Sequence, residues 1–297
     1  MAEMTRRRIL AGVLGGAAAV SAYSMKSALA AGSSVDQRLD ELEARDNATI
    51  GVFAADLASG RTLTYRATDS FAMCSTFKVY AAAAMLQRVQ RDELTLDQPL
   101  FVPPAAIVPH SPRSAPNSGG SMTVAELCAA ALQVSDNGAG NVLLQTLGGP
   151  GAVTDFARSI GDGRSRLDRW ETQLNAAVPG DPRDTSTPEA LGNGYRALLT
   201  GDVLEPILRQ QLDGWMRANE TSSMRAGLPP GWTSADKSGA GDYGSTNDVG
   251  IAYGPGGQRV LLALMTRSRA DQPNADSQRA LIGELTALIL PEVSTPA

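Results

Sequence analysis

Histidine is nearly missing from this 297-residue chain: His110 stands alone. Cysteine is almost as scarce, with Cys74 and Cys128 far apart in sequence. A His- or Cys-rich zinc site is thereby excluded, because such sites draw several ligands from these two residue types. A Ser-His-Asp triad has to run through His110 or not exist. Nor do two cysteines make a disulfide framework. Positive charge is in deficit, 26 Lys and Arg against 31 Asp and Glu for a net charge of −5, so the electrostatic footprint of a nucleic-acid-binding protein is absent. Lysine is the scarcest charged residue: Lys26, Lys78 and Lys237 stand against 23 arginines. Lysine can lose its proton where its surroundings lower its pKa, and guanidinium cannot. A lysine kept in an arginine-rich chain therefore points to a place where arginine would not serve. What is present, 43% apolar and 5% aromatic residues, is the composition of a globular protein with one large or two modest domains.

The first thirty residues read as an export signal. Arg6-Arg7-Arg8 precede a weakly apolar, Ala- and Gly-rich run from Ala11 to Val20, followed by Ala28-Leu29-Ala30, a small-residue cleavage site. The paired arginines favour the twin-arginine route. The run is too short and too rich in Gly and Ala to span a bilayer well. Cleavage leaves 22 basic and 30 acidic residues, net −8: an acidic, exported protein, periplasmic or secreted, with no membrane attachment.

Apolar periodicity then predicts a helix over 33–45, strands over 49–57 and 62–66 around the turn Ala58-Ser59-Gly60, and a helix from Ser75. Thr123 and Glu126 form a capping-box pattern ahead of a helix to about Gln133, and a further helix follows from Asn137 to Leu147. The stretch from Gly161 to Pro188 has little periodicity, and irregular segments of that length are usually functional. Thr187-Pro188-Glu189 opens another helix as N-cap, first-position proline and first-turn acid. Period two returns over 232–238, 247–253 and 259–266, and a helix over 277–290 closes the chain. Strands and a helix at both ends around a helical middle predict an α/β (α+β type) fold: an antiparallel sheet flanked by N- and C-terminal helices, with an inserted all-α domain. We divide it into a discontinuous α/β domain, 31–68 with 217–297, and an all-α domain, 69–216.

Four local patterns carry chemistry. Ser75-Thr76-Phe77-Lys78 places a hydroxyl and an amine on one helix face, where a desolvated lysine can activate a serine nucleophile beside the positive end of the helix. Alone, it is a weak signal that reads more often as an N-cap serine before a surface lysine. Ser135-Asp136-Asn137 alone is a helix cap, and Lys237-Ser238-Gly239 alone is a strand entering a turn. In the long irregular stretch, Trp170-Glu171 sets a carboxylate beside a large apolar ring, with Asn175 four residues on, a setting suited to a general base holding a water. The conjunction is the signal, because both lysines of the mature chain fall inside these motifs.

With those motifs the mature chain resembles the class A serine β-lactamases along essentially its whole length. Its third motif is Lys-Ser-Gly, where the family's is Lys-Thr-Gly. The resemblance implies that Ser75 attacks the lactam carbonyl, with the N–H groups of Ser75 and Ala240 as oxyanion hole. Lys78 and Glu171 are both candidates for the acylation base. Ser135 relays a proton to the leaving nitrogen with support from Lys237; Lys237 and Ser238 bind the substrate carboxylate beside Gly239 and Ala240; and Asn137 positions the acyl amide. Glu171, with Asn175 holding the water, hydrolyses the ester. The irregular stretch resembles the family's Ω loop, its ends tied by Arg169 and Asp184. His110 takes the place of the aromatic gate as a wall of the cleft. Further implications are small-molecule β-lactam substrates and inhibitors, no cofactor, no nucleic-acid partner and a monomer.

The chain also departs from its relatives. The arginine many of them use to grip the substrate carboxylate is Thr246 here, and the alternative places resemble Ser223 and Gln278. Gly241 stands where carbapenem-hydrolysing relatives carry a cysteine to bridge the position of Cys74, and Ala82 faces the position of Cys128 in another common bridge. Both thiols are expected buried and free. Asp242-Tyr243-Gly244 resembles the cefotaximase branch. Two rivals share part of the pattern. A DD-peptidase or transpeptidase lacks the Trp-Glu-x-x-Leu-Asn loop, and a penicillin-binding sensor module is normally tethered to a signalling membrane segment. No G-x-S-x-G elbow surrounds Ser75, which argues against other serine hydrolases.

Overall fold

A computed structural model of the chain describes residues 34–294; the export signal assigned to residues 1–30 lies outside them. In chain order the elements are α1 (Val35–Arg45), β1 (Ala48–Asp56), β2 (Thr62–Tyr65), β3 (Phe71–Ala72), α2 (Phe77–Gln90), β4 (Pro99–Phe101), β5 (Ser121–Thr123), α3 (Val124–Gln133), α4 (Asn137–Leu147), α5 (Gly151–Ser159), β6 (Thr185–Ser186), α6 (Pro188–Thr200), α7 (Pro206–Arg217), β7 (Thr233–Ala240), β8 (Thr246–Tyr253), β9 (Arg259–Ser268) and α8 (Arg279–Val293).

The main sheet is antiparallel with strand order β2-β1-β9-β8-β7, so the N-terminal strands lie against the C-terminal ones as expected. Both faces are covered, which explains why β1 and β9 read as nearly unbroken apolar runs. Ile50, Val52 and Leu262, Leu264 point to one face and pack with Leu39 of α1 and Leu285 and Ile289 of α8. Phe53, Ala263 and Val249, Ile251 point to the other and join a larger core with Tyr80, Met85, Leu127, Leu143 and Tyr195 from the helices. Strand β7 is an edge strand, and its register sets Ser238 opposite Asp248 and Gly239 opposite Asn247.

Helix starts follow local chemistry. Ser34 caps α1, the Thr123–Glu126 capping box opens α3 with both reciprocal bonds, Asp136 caps α4, and Thr187 caps α6 with Pro188 at its first position. Gly148, at φ 106°, ends α4 in the left-handed region that favours glycine. The five strands of the main sheet lie within two residues of their expected ends, and the short strands β3 to β6 were not read from the sequence. The nucleophile helix differs: Cys74–Thr76 is a 3-10 turn, and the α-helix begins at Phe77. Helices α5 and α7 were not read from the sequence. Among the described residues no helix is long and apolar enough to cross a membrane.

Candidate active site

Four chain segments bring the motif residues together. The Cys74–Thr76 turn, entered through Cys74 at φ 47°, presents Ser75, and the first turn of α2 presents Lys78. The α3–α4 junction, where Ser135 has φ 57°, presents Ser135 and Asn137; β7 presents Lys237 and Ser238; and the long loop presents Glu171 and Asn175. Ser75, Lys78, Asn137, Glu171, Lys237 and Ser238 are each buried.

Lys78 Nζ is the hub. It lies 2.6 Å from Asn137 Oδ1, 2.9 Å from the Ser135 carbonyl, 3.0 Å from Ser75 Oγ and 3.0 Å from Glu171 Oε1. These acceptors outnumber the hydrogens of an ammonium group, so its charge is fully solvated by protein. Gly140 makes room for it: a Cβ there would stand 3.0 Å from Lys78 Cε. Ser75 Oγ is also 3.4 Å from Glu171 Oε1. The hydroxyl thus faces an amine and a carboxylate, which themselves form a buried pair 3.0 Å apart.

Glu171 is held on all sides. Asn175 donates to its Oε2 at 2.7 Å, and Asn141 grips its backbone, accepting from Glu171 N at 3.0 Å and donating to Glu171 O at 3.1 Å. Trp170 contributes less than its neighbouring position suggests. Trp170 is 39% exposed, whereas buried Glu171 lies against Lys78 of α2, 3.0 Å from its Nζ, and against Gly140 of α4, where a Cβ would stand 3.8 Å from Glu171 Cγ. The loop neck closes as expected, with Arg169 Nε 2.5 Å from Asp184 Oδ2, and Asp184 also accepts the backbone N–H groups of Asp168 and Arg169.

Across the cleft Lys237 Nζ donates to Ser135 Oγ at 3.0 Å and to the Ser238 carbonyl at 2.8 Å. Burial, reinforced by the charge of Lys78, pushes the Lys237 ammonium down to about 7. Two carboxyls lie fully buried behind this strand. Asp236 accepts from Ser234 and Asn219, while Asp248 accepts the N–H groups of Ser223 and Met224. Burial and the adjacent Asp236 raise the Asp248 carboxyl well above the usual carboxylate range. Ser238 Oγ meets Thr221 Oγ1 at 2.6 Å.

These groups open into a cleft of about 270 Å³ lined by Ser75, His110, Ser135, Asn137, Asn175, Thr221, Ser238, Gly239, Ala240 and Arg279. A cavity of about 480 Å³ at Asp162, Arg164, Glu189 and Asn193 lies away from them and holds no candidate nucleophile. His110 is an exposed wall residue whose Nε2 is 2.9 Å from the Val134 carbonyl. Arginine does enter the cleft, one residue beyond where it was sought. Thr246 and Ser223 are buried, and Gln278 serves through its backbone, donating N–H to Thr246 Oγ1 at 2.8 Å; the next residue, Arg279, lines the site. Sequence reasoning also missed Asn141 and Thr221, whose helix or loop setting gives no chemical signature. Cys74 and Cys128 are buried and free, and burial pushes the Cys128 thiol up to about 12. A Cβ at Gly241 would stand 2.8 Å from Cys74 Sγ.

The sequence profile of the β-lactamase enzyme family matches residues 34–293. The chain belongs to this family. Its curated relatives include β-lactamase AST-1 of Nocardia asteroides, 46% identical over 86% of this chain and 82% of that one. The carbapenem-hydrolyzing β-lactamase KPC of Klebsiella oxytoca is 44% identical over 86% of each chain. Among solved structures, a β-lactamase of Desulfarculus baarsii superposes with a TM-score of 0.84 at 42% identity, covering 88% of this chain and 98% of that one. The class A β-lactamase of the last common ancestor of Gram-negative bacteria follows at 0.83 and 45%, covering 88% and 99%. Membership is in class A, and the antiparallel sheet with its helices is the class A fold.

Proposed function

We propose that this chain hydrolyses the amide bond of β-lactams through an ester on Ser75, and that it thereby confers resistance on the cell that exports it. The observation that carries the reading is Ser75 Oγ between Lys78 Nζ at 3.0 Å and Glu171 Oε1 at 3.4 Å, with Asn175 on the far oxygen of the same carboxylate.

Ser75 Oγ attacks the lactam carbonyl as its proton passes to the Lys78–Glu171 pair. The N–H groups of Ser75 and Ala240 receive the developing oxyanion; Ala240 ends the edge strand β7, beside which the cleft opens. Ring opening breaks the C–N bond, and Ser135 hands its hydroxyl proton to the nitrogen. Lys78, 3.5 Å from Ser135 Oγ, passes on the proton taken from Ser75 to restore it, and Lys237, 3.0 Å away, supports the transfer electrostatically. Water held between Glu171 and Asn175 then attacks the ester, Glu171 takes its proton, and that proton returns to Ser75 Oγ as the ester C–O bond breaks, which frees both the serine and the carboxylate. Ser238, Thr221 and Arg279 of the cleft lining, with Lys237 behind Ser238, supply polar donors for the substrate carboxylate; Gly239 and His110 wall the cleft, Asn137 seats the acyl amide, and Asn175 holds the water. Twin-arginine export, a monomeric state and the division into 31–68 with 217–297 and 69–216 belong to the same reading. The experiment is hydrolysis of a chromogenic cephalosporin by the mature protein and by Ser75→Ala. Turnover by the first and none by the second supports the reading; turnover by both refutes Ser75 as nucleophile.

A further inference from the structure

The two oxyanion donors sit on separate pieces of chain, the Cys74–Thr76 turn and the end of β7. Donors of this kind act through preorganisation, and a shift of an ångström is costly in rate. Something must therefore set their separation. Strand β7 touches the turn closely: a Cβ at Gly239 would stand 2.9 Å from the Met73 carbonyl and 3.2 Å from Ser75 N. Contact alone stops the two from coming closer and does not stop them parting.

The tie comes from the next strand. Asn247 of β8 pairs with Gly239 across the ladder and is fully buried. Its Nδ2 donates to the Ala72 carbonyl at 2.8 Å and to the Met73 carbonyl at 3.1 Å, the two residues leading into the nucleophile turn. Its Oδ1 is buried with no hydrogen-bond partner. An amide that commits its donors to main-chain carbonyls and leaves its own oxygen orphaned is kept against a desolvation cost. Met73 is gripped from the other side as well, since its N–H donates to the Asp184 carbonyl at 2.8 Å and β3 pairs with β6 at the loop exit. Its carbonyl further accepts Thr76 Oγ1 at 2.7 Å, so the strain-prone entry at Cys74 hangs on this one residue.

We propose that Asn247 is a positioning residue that fixes the distance between the Ser75 and Ala240 N–H groups, an inference resting on their assignment above as the oxyanion hole. Its backbone holds β7 through the ladder and its side chain holds the turn.

The test uses Glu171→Gln to accumulate the ester formed with a penicillin labelled with ¹³C at the lactam carbonyl, and reads the ester stretch by infrared difference spectroscopy. Asn247→Leu and Asn247→Asp are introduced in turn, the first keeping bulk without polar atoms and the second keeping shape without the donating amide, so either folded variant decides. With Glu171 intact, the same changes are scored by affinity for a phenylboronic acid, whose tetrahedral adduct places an oxygen in the hole. We expect the stretch to move to higher wavenumber, and boronate affinity and the acylation rate to fall together by roughly tenfold to a hundredfold. A folded variant with unchanged stretch and boronate affinity overturns the proposal, whatever its melting temperature. No ester on Ser75 in the Glu171→Gln protein itself would instead overturn the assigned function, before Asn247 is touched.

Discussion

Asp184→Asn isolates the neck of the catalytic loop from its chemistry. The Asp184 side chain is fully buried and accepts Arg169 Nε at 2.5 Å, Asp168 N at 2.7 Å and Arg169 N at 3.0 Å. An asparagine of the same shape must turn its NH₂ toward either the guanidinium or the two backbone donors, so one side loses its acceptor. It also leaves a guanidinium only 16% exposed with its nearest remaining carboxylate oxygen, on Asp181, at 3.7 Å. Breaking a buried pair from one side costs about 3–5 kcal/mol, and with that residual partner we place this one at the low end, about 3 kcal/mol. For a protein of this size that lowers Tm by roughly 6–12 °C. Catalysis should split. Ser75 and Lys78 sit on α2 and its entry turn, so acylation should stay within about tenfold, whereas Glu171 rides on the loop and a displacement near 1 Å should slow deacylation about a hundredfold. Calorimetry and stopped-flow mass spectrometry read the two effects. A protein destabilised by this amount yet deacylating at the wild-type rate would refute the view that the neck positions Glu171.

Three further outcomes are expected. Lys237, depressed to about 7, loses its charge as pH rises through that value, so kcat/KM for carboxylate-bearing lactams should fall on the alkaline side of neutrality. Lys237→Arg, which cannot deprotonate, should retain activity without that limb; an unchanged pH profile would remove Lys237 from carboxylate binding. Arg279→Ala should raise KM for such substrates about tenfold with a smaller change in kcat, and equal losses in both would mean the guanidinium acts in the transition state instead. Gly140→Ala pushes a methyl to within 3.0 Å of Lys78 Cε, and acylation should drop about tenfold or more as Nζ moves off Ser75 Oγ; wild-type acylation kinetics would show that the hub tolerates displacement.

Much of this molecule was legible before any coordinates. Strands β1 and β9 stand out because a sheet covered on both faces leaves apolar runs between turns, β7 and β8 were read from their period of two between turn residues, and capping chemistry at Thr123, Asp136 and Thr187 marked helix starts. Lys78 and Lys237 were legible because two lysines in an arginine-rich mature chain are conspicuous, and Ser75, Ser135 and Glu171 because their motifs occur together with them in the order of the family they resemble. Helix α5 was passed over because it is short and follows Gly148-Gly149-Pro150, which reads as loop. Helix α7 did carry a signal, Pro206 at its first position and Leu208, Leu212 and Trp215 down one face, that was overlooked. Arg279 was misjudged by one residue because the start of α8 has no side-chain cap to mark its register. Trp170 was overvalued because adjacency in sequence says nothing about which way a loop side chain turns. Asn141 and Asn247 were invisible because a buried amide acquires meaning only from the carbonyls it reaches.

The most direct test of the central claim, that Glu171 delivers the water that frees Ser75, is intact-mass spectrometry of the Glu171→Ala protein with a penicillin. The proposed mechanism predicts a stable adduct of one substrate mass on Ser75, absent from wild type under the same turnover conditions. An adduct that clears as fast in the variant as in wild type, or one that persists in wild type itself, would contradict it.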